Sequence, residues 1–200
     1  MPKNMQKRFL LVALILSCIL FPMPALAEQP NVGTVTRVMK EVSVVHEGQK
    51  EKERVKEKDV VLFLDTYQTE KGSRVKFLFK DDSLLTLGEN TTMQITESVY
   101  DPGKDYRSTI LKVLKGKVRA LVGKTFRGSG SKFDVHTPTS VASARGTYFI
   151  VNVIEEEGTI KTIVAVLPGG GSVEVVPVLP PDTPQLPSSV IVTEEKFTII

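Results

Sequence analysis

The chain has 200 residues, one cysteine and a formal net charge of +3 at pH 7. Its 26 basic and 23 acidic residues become equal in number once the three basic residues of positions 1–27 are set aside. A nucleic-acid-binding protein needs a surplus of basic residues to displace counterions from phosphate. We therefore do not expect nucleic acid as a partner.

The first 27 residues have the order of a secretory signal peptide. A basic start with Lys3, Lys7 and Arg8 precedes the uncharged apolar run Phe9–Phe21, and Ala25–Ala27 follows as a small-residue cleavage site. The apolar run has 13 residues, whereas a membrane span needs about 20. We predict cleavage after Ala27, no stable membrane span afterwards, and a periplasmic or secreted protein.

The single cysteine, Cys18, lies inside this apolar run. Ser17 precedes it, which leaves lipid attachment as an alternative, but the run continues to Phe21 and reaches a better cleavage site at Ala27. Without the peptide the chain has no cysteine and forms no disulfide, so its stability must come from a hydrophobic core. A domain of this size buries about 70% of its unfolded surface, which is enough for one core.

Strand patterns follow one another along the rest of the chain. In Arg74–Lys80, the apolar residues Val75, Phe77 and Phe79 alternate with other side chains, as in a strand with one buried face. Val, Ile, Thr and Phe dominate, and no segment has a convincing amphipathic-helix pattern. We predict an all-β fold, an antiparallel sandwich or roll of many short strands, with a short β-solenoid as the alternative. Further predicted strands are Val32–Met39, Val42–Val45, Asp59–Leu64, Leu84–Leu87, Met93–Ile95, Ile110–Leu114, Val118–Val122, Phe133–His136, Thr147–Ile154, Thr159–Leu167 and Val173–Val176.

Polar segments between these strands predict turns. His46–Asp59 is highly charged without an apolar stripe, which indicates a solvated loop or hairpin tip. The neighbouring Asp81 and Asp82 suit a turn in which a carboxylate caps backbone amides. Lys115–Gly116 and Glu155–Gly158 each separate two apolar runs, so we predict a hairpin at both places.

Composition changes near the C-terminus. The main β domain is expected to span Val32–Val176, and prolines then crowd the segment Pro177–Ser189. Such a segment is typical of an extended linker. Residues 190–200 alternate again and are interpreted as an edge strand or a tail.

No motif of a catalytic or cofactor site occurs in the sequence. His46 and His136 stand far apart, and no His/Cys/Asp/Glu group has metal-ligand spacing. Gly128–Ser131 lacks the pattern of a nucleophile elbow, and Gly169–Gly171 lacks the Lys and Ser/Thr of a phosphate-binding loop. We expect His136 to be an ordinary strand residue, and the protein to be non-enzymatic, without cofactor or metal.

One stretch points to a special role, and it contains Arg145, Gly146 and Thr147. Arg145 is flanked by small and apolar residues, and an arginine among them is costly to bury unless it is paired. Its planar fork suits a carboxylate or several backbone carbonyls, and Gly146 permits close backbone approach. Two interpretations follow: a ligand or partner contact, or an internal buried clamp. We expect the clamp.

The same stretch resembles the signature of the FecR-like domain. The family pattern is Thr-Pro at a strand end, small and apolar residues, and then Arg-Gly-Thr, a variable residue and Phe; the matching residues are Thr137–Pro138, Val141–Ala142 and Arg145–Phe149. The similarity extends over Val32–Val176, with Asp82 in place of a usual Gly. It is also carried by Phe77–Leu87, Val113–Val118 and Thr162–Val166.

The resemblance implies an exported all-β domain used for sensing, docking or scaffolding, and no catalytic residues. Membrane-bound members carry a cytoplasmic segment before their span, and the short basic start of this sequence leaves no room for one. Direct control of a sigma factor is therefore not expected. We expect a binding or signalling module of the cell envelope whose partner is an envelope protein or a glycan. The alternative is a structural envelope or surface-scaffold protein.

Overall fold

The computed structural model describes residues 29–123, 130–169, 171–179, 189–194 and 196–200. The predicted signal peptide and most of the predicted linker lie outside these residues. The all-β prediction is confirmed, because the regular structure of the described residues consists of sixteen strands and one short 3₁₀ turn at Pro102–Lys104. The strands are β1 Asn31–Met39, β2 Val42–Val45, β3 Glu53–Arg54, β4 Val60–Leu62, β5 Thr66–Thr69, β6 Arg74–Phe79, β7 Leu84–Leu87, β8 Thr92–Asp101, β9 Tyr106–Leu121, β10 Lys132–His136, β11 Ser140–Ala144, β12 Tyr148–Glu156, β13 Thr159–Val166, β14 Ser172–Pro177, β15 Val190–Thr193 and β16 Phe197–Ile199.

The strands form two layers that share β9. The front layer has the order β4-β1-β6-β7-β9-β12-β13-β16, and the back layer the order β3-β2-β5-β8-β9-β10-β11-β14-β15. The pair β9–β10 is parallel, whereas the other named strand pairs of the described residues are antiparallel. The sheet is therefore mixed. The predicted antiparallel sandwich or roll describes it except for the parallel pair β9–β10.

Strand β9 runs without reversal from the back layer into the front layer. Its first part pairs with β8 and β10, and its last part, from Gly116 onwards, pairs with β7 and β12. The predicted hairpin at Lys115–Gly116 is therefore wrong. Gly116 does adopt a positive φ of 88°, but this conformation bends one strand instead of closing a turn.

The bend reverses the face of β9 that points to the core. Leu111 and Val113 are buried before it, and Val118 and Ala120 are buried after it. The buried positions thus change from odd to even numbers. The pairing with β8 shifts by one residue at Leu114, between the pairs Thr92–Lys115 and Met93–Val113. A bulge of one residue exchanges the two faces of a strand, which explains the change of phase.

The inner faces of the two layers meet in one hydrophobic core. The ring of Tyr67 on β5 contacts that of Phe77 on β6 at 4.7 Å between centroids, and Phe133 on β10 contacts Phe149 on β12 at 6.3 Å. These four aromatic side chains are fully buried, and burying one such side chain contributes about 1.5–3 kcal/mol. The alternation predicted for β6 is confirmed, since its residues are exposed and buried in turn.

Two of the predicted turns are confirmed. Glu157 and Gly158 form a two-residue hairpin loop between β12 and β13, both with positive φ. Between β6 and β7, the Asp81 carboxylate accepts a hydrogen bond of 2.9 Å from the Ser83 amide. Asp82 there has a φ of 64°, the conformation that a glycine would adopt more easily.

Of the two structures predicted for His46–Asp59, a solvated loop or a hairpin tip, the hairpin is the one observed. It contains β3, which pairs with β2, and Val55 is only 3% exposed. The Val55 amide donates to the Val42 carbonyl at 2.9 Å, so part of this charged segment folds back onto the back layer. At the far end of the chain, β15 and β16 are edge strands of the back and front layers. No helix among the described residues is long and apolar enough to span a membrane.

Candidate functional site: an exposed arginine turn and a basic groove

The predicted site residues Arg145, Gly146 and Thr147 form the turn that joins β11 of the back layer to β12 of the front layer. Gly146 has a φ of 65°, which explains the glycine. Thr147 is fully buried, and its hydroxyl donates to the Ser172 carbonyl at 3.0 Å. Its own carbonyl accepts from the Val122 amide at 3.0 Å. Gly146 and Thr147 therefore fix the shape of this turn.

Arg145 is exposed, so the expected internal clamp is wrong. Strand β11 ends at Ala144, and the arginine that follows it lies on the turn instead of entering the next strand. Its guanidinium forms no ion pair with any of the described residues. Of the two interpretations, the contact with a ligand or partner is the one that this position permits.

Among the residues that the structure describes, the buried arginine is Arg107, near the start of β9. It is 9% exposed, and its side chain donates a hydrogen bond of 2.9 Å to the Asp81 carbonyl. Its guanidinium also lies 4.9 Å from the centre of the Tyr100 ring, a cation–π contact. Arg107 thus ties the back layer to the β6–β7 turn of the front layer.

The carboxyl group of Asp81 lies in the same place and is also buried. Burial raises its pKa above the ordinary value of 3.8, while the hydrogen bond from Ser83 and the charge of Arg107 act in the opposite direction. The Thr109 hydroxyl donates to the same carboxyl at 3.4 Å. The hydrogen bonds of Asp81 with Arg107 and Thr109 thus connect the β6–β7 turn of the front layer to β9.

A second buried carboxylate, Asp65, orients His46. The two are 2.7 Å apart, from the Nδ1 atom of His46 to an oxygen of Asp65, and the Tyr67 hydroxyl donates to the other oxygen at 3.2 Å. Burial, followed by the negative charge of Asp65, raises the pKa of Tyr67. The second ring nitrogen of His46 lies 4.0 Å from Glu53, at a depression of about 290 Å³. His136 is a half-buried residue at the end of β10, as expected of a strand residue.

A larger depression of about 440 Å³ lies on the outer face of the front layer, and we call it the basic groove. It lies over Thr86 of β7 and over Gly88, which comes directly after that strand. The residues that line it are Arg37, Met39, Arg74, Lys76, Thr86, Gly88, Lys117, Arg119 and Ile150. Five of these carry a positive charge and none carries a negative charge.

The strand register brings the cations of the basic groove together. Arg37 lies opposite Lys76, Lys76 opposite Thr86, and Thr86 opposite Arg119. Two residues further along, the Gly88 amide donates to the Lys117 carbonyl at 2.7 Å. Cations from β6 and β9 therefore face each other across the small side chains of β7.

Comparison with protein families identifies the fold. A family model described as FecR protein matches residues 65–170. The chain belongs to the FecR family. The recognition made from the Arg145–Phe149 pattern is thereby confirmed, and the matched range includes four of the five groove cations.

Solved structures resemble this FecR chain in fold. Two are crystal structures, each of a candidate anti-sigma factor from Parabacteroides distasonis ATCC 8503. One has a TM-score of 0.51 and 22% identity over 69% of this chain and 55% of that chain. The other has a TM-score of 0.47 and 21% identity over 68% and 54%. The match thus spans little more than half of those chains. No curated protein sequence matches this chain.

Sequence reasoning missed the basic groove of this FecR protein because it counted net charge over the chain. A signal was present, since Arg74 and Lys76, like Lys117 and Arg119, are two positions apart and so share a strand face. Only the strand order β6-β7-β9 brings the two pairs to one place.

Proposed function

We propose that this FecR protein is a non-enzymatic, extracytoplasmic signalling module that binds an envelope protein through the turn at Arg145. Membership of the FecR family supports the signalling role, and so does the name of the solved structures of similar fold, candidate anti-sigma factors. The observation that carries the proposal is that Arg145 is exposed on a turn whose last residue, Thr147, is fully buried.

The turn is suited to recognition because its backbone is already fixed. Hydrogen bonds of Thr147 to Ser172 and Val122 hold it from the inside, so binding need not order the loop and costs little conformational entropy. The guanidinium of Arg145 presents five donors in a plane, which match a carboxylate with two parallel hydrogen bonds. A partner that offers an acidic side chain there would be held in a defined orientation.

The test is chemical crosslinking and capture from an envelope extract, comparing the wild type with Arg145→Ala. The matched control is Arg54→Ala, since Arg54 is also an exposed arginine but lies on β3 in the back layer. We expect unchanged melting temperatures for both variants and loss of one specific partner for Arg145→Ala alone. Retention of that partner by Arg145→Ala would contradict the assignment.

The proposed location needs its own test. Cell fractionation followed by mass spectrometry of the purified protein should give an N-terminus at Glu28, outside the cytoplasm. A cytoplasmic protein that keeps residues 1–27 would contradict export.

The proposal that the protein is not an enzyme is tested by a broad hydrolase screen. An activity that is lost in His46→Ala or His136→Ala would refute it. If a deletion strain loses envelope integrity but keeps every transcriptional response, the structural-scaffold alternative is correct.

A further inference from the structure

The basic groove has a charge pattern that the proposed partner contact at Arg145 does not explain. Arg37, Arg74, Lys76, Lys117 and Arg119 are exposed, and none forms an ion pair with a residue that the structure describes. The formal net charge is zero once residues 1–27 are set aside. Five cations without an ion pair on one face are therefore a local excess of positive charge. Their mutual repulsion is relieved when an anion lies between them.

The shape of the basic groove suits a chain-like anion. Strands β6 and β9 are second neighbours, so their cations are about 10 Å apart across β7. Along each strand the paired cations, Arg74 with Lys76 and Lys117 with Arg119, recur about every 7 Å. The other described residues that line the groove, Met39, Thr86, Gly88 and Ile150, are uncharged, so a chain that runs along β7 would have cations on both sides.

Two other kinds of chain fit this groove poorly. A peptide often binds a sheet by adding a strand, but β7 is already hydrogen-bonded to both β6 and β9. Proteins that bind single-stranded nucleic acid stack the bases on aromatic rings. None of the described residues that line the groove is aromatic.

We propose that the basic groove binds a linear anionic glycopolymer, a chain of sugar or polyol units with one carboxylate or phosphate per repeat. The charged groups of the polymer would lie between the cations of β6 and β9, while its uncharged backbone rests on Thr86 and Gly88. A cation–π contact helps to hold the Arg119 side chain in place, because its guanidinium lies 5.4 Å from the centre of the Tyr148 ring. The proposal goes beyond the proposed function, since the site shares no residue with the turn at Arg145.

The experiment measures binding of labelled polymers to protein expressed from the full 200-residue sequence. The probes are polygalacturonate for carboxylate and poly(glycerol phosphate) for phosphate, with dextran as the uncharged control. Polyglutamate and oligothymidylate of equal charge represent an acidic protein segment and a nucleic acid. Anisotropy is recorded at about 50 mM and about 200 mM salt, because charge-driven binding weakens as salt rises.

The groove variant is Lys76→Glu with Arg119→Glu, one reversal on each side of β7. The matched control, Lys50→Glu with Lys112→Glu, makes the same change of net charge at two exposed lysines outside the groove. We expect one or both charged glycopolymers to bind the wild type and the control, and the groove variant to bind at least about tenfold more weakly at low salt. Circular dichroism and melting temperature establish that each variant is folded.

Three results would overturn the proposal. They are no binding of either glycopolymer to the wild type, an equal loss in the control, or equally tight binding of polyglutamate or oligothymidylate. The polymer that binds more tightly identifies carboxylate or phosphate as the recognised group. Arg145→Ala should bind the polymer as tightly as the wild type. Loss of polymer binding in the groove variant and loss of the protein partner in Arg145→Ala are therefore independent results.

Discussion

Replacing Gly116 by alanine should destabilise the fold far more than an ordinary glycine substitution does. The added methyl group would lie 2.5 Å from the Cα atom of Thr91 and 2.7 Å from the carbonyl oxygen of Asn90, both of which are backbone atoms. Neither can move away as the end of a flexible side chain could. The crossing strand β9 and the start of β8 would therefore have to separate.

Three contributions lower the free energy of unfolding in Gly116→Ala. Alanine at a φ of 88° costs roughly 1–2 kcal/mol, and overpacking against backbone costs roughly another 1–3 kcal/mol. The Lys117 amide donates to the Thr91 hydroxyl at 3.0 Å, and losing this bond costs about 1 kcal/mol. The free energy of unfolding should fall by roughly 3–6 kcal/mol, a large part of the 5–15 kcal/mol typical of a domain.

Urea unfolding followed by circular dichroism measures this change, with Gly158→Ala as the control. Gly158 has a similar φ of 76°, but a methyl group there would have nothing within 4 Å. It should lose only the roughly 1–2 kcal/mol of backbone strain. Equal losses for the two variants would refute the close approach of β9 to Thr91.

The remaining predictions concern the buried polar groups. Arg107→Ala should lower the free energy of unfolding by roughly 2–3 kcal/mol because it removes a buried charged hydrogen bond, whereas Arg145→Ala should change it by less than about 0.5 kcal/mol; urea unfolding compares them. Asp81→Asn should abolish a pH dependence: the folded pKa of Asp81 is raised, so the wild type gains stability relative to the variant as pH falls from 7 towards 3.8. Thr162→Val should cost about 1–2 kcal/mol by thermal unfolding, because the buried Thr162 hydroxyl donates to Thr137 at 2.9 Å and joins the layers.

Each of these three predictions, for the two arginines, Asp81 and Thr162, has an outcome that would contradict it. If Arg145→Ala destabilises as much as Arg107→Ala, the assignment of the interior arginine is wrong. If stability of the wild type falls relative to Asp81→Asn on acidification, burial does not raise the pKa of the Asp81 carboxyl in the folded protein. Thr162→Ser, which keeps the hydroxyl, should lose less than the valine variant if the hydrogen bond matters.

Local patterns predicted the strands well because alternation is a local property. In β6 the apolar positions Val75, Phe77 and Phe79 are the buried ones. The hairpin at Gly158 was also predictable, since a two-residue loop needs positive φ and the sequence supplies a glycine between two apolar runs.

Gly116 shows where local patterns failed. A glycine between two apolar runs indicates positive φ, but positive φ serves both a hairpin and a bend in a continuous strand. The distinguishing signal was the change of buried positions from Val113 to Val118, an odd to an even number. Such a change is expected when a strand continues through a bulge of one residue, as β9 does at Leu114.

Charged residues were the hardest to place, because their burial depends on distant parts of the chain. Arg145 stands among apolar residues in sequence but is exposed, whereas Arg107 follows a polar loop and is buried against the Asp81 turn. The basic groove likewise forms from strands whose neighbours in the sheet are not neighbours in sequence. The family resemblance identified the domain but not these positions.

The central claim is that β9 is one strand shared by the two layers, because this crossing sets the strand order that creates the basic groove. Nuclear Overhauser effects between backbone protons test it directly. We predict contacts of Leu111 with Val135 and of Val118 with Val151, one pair in each layer. Contacts between Leu114 and Lys117 across a closed turn, with neither of those pairs, would contradict it.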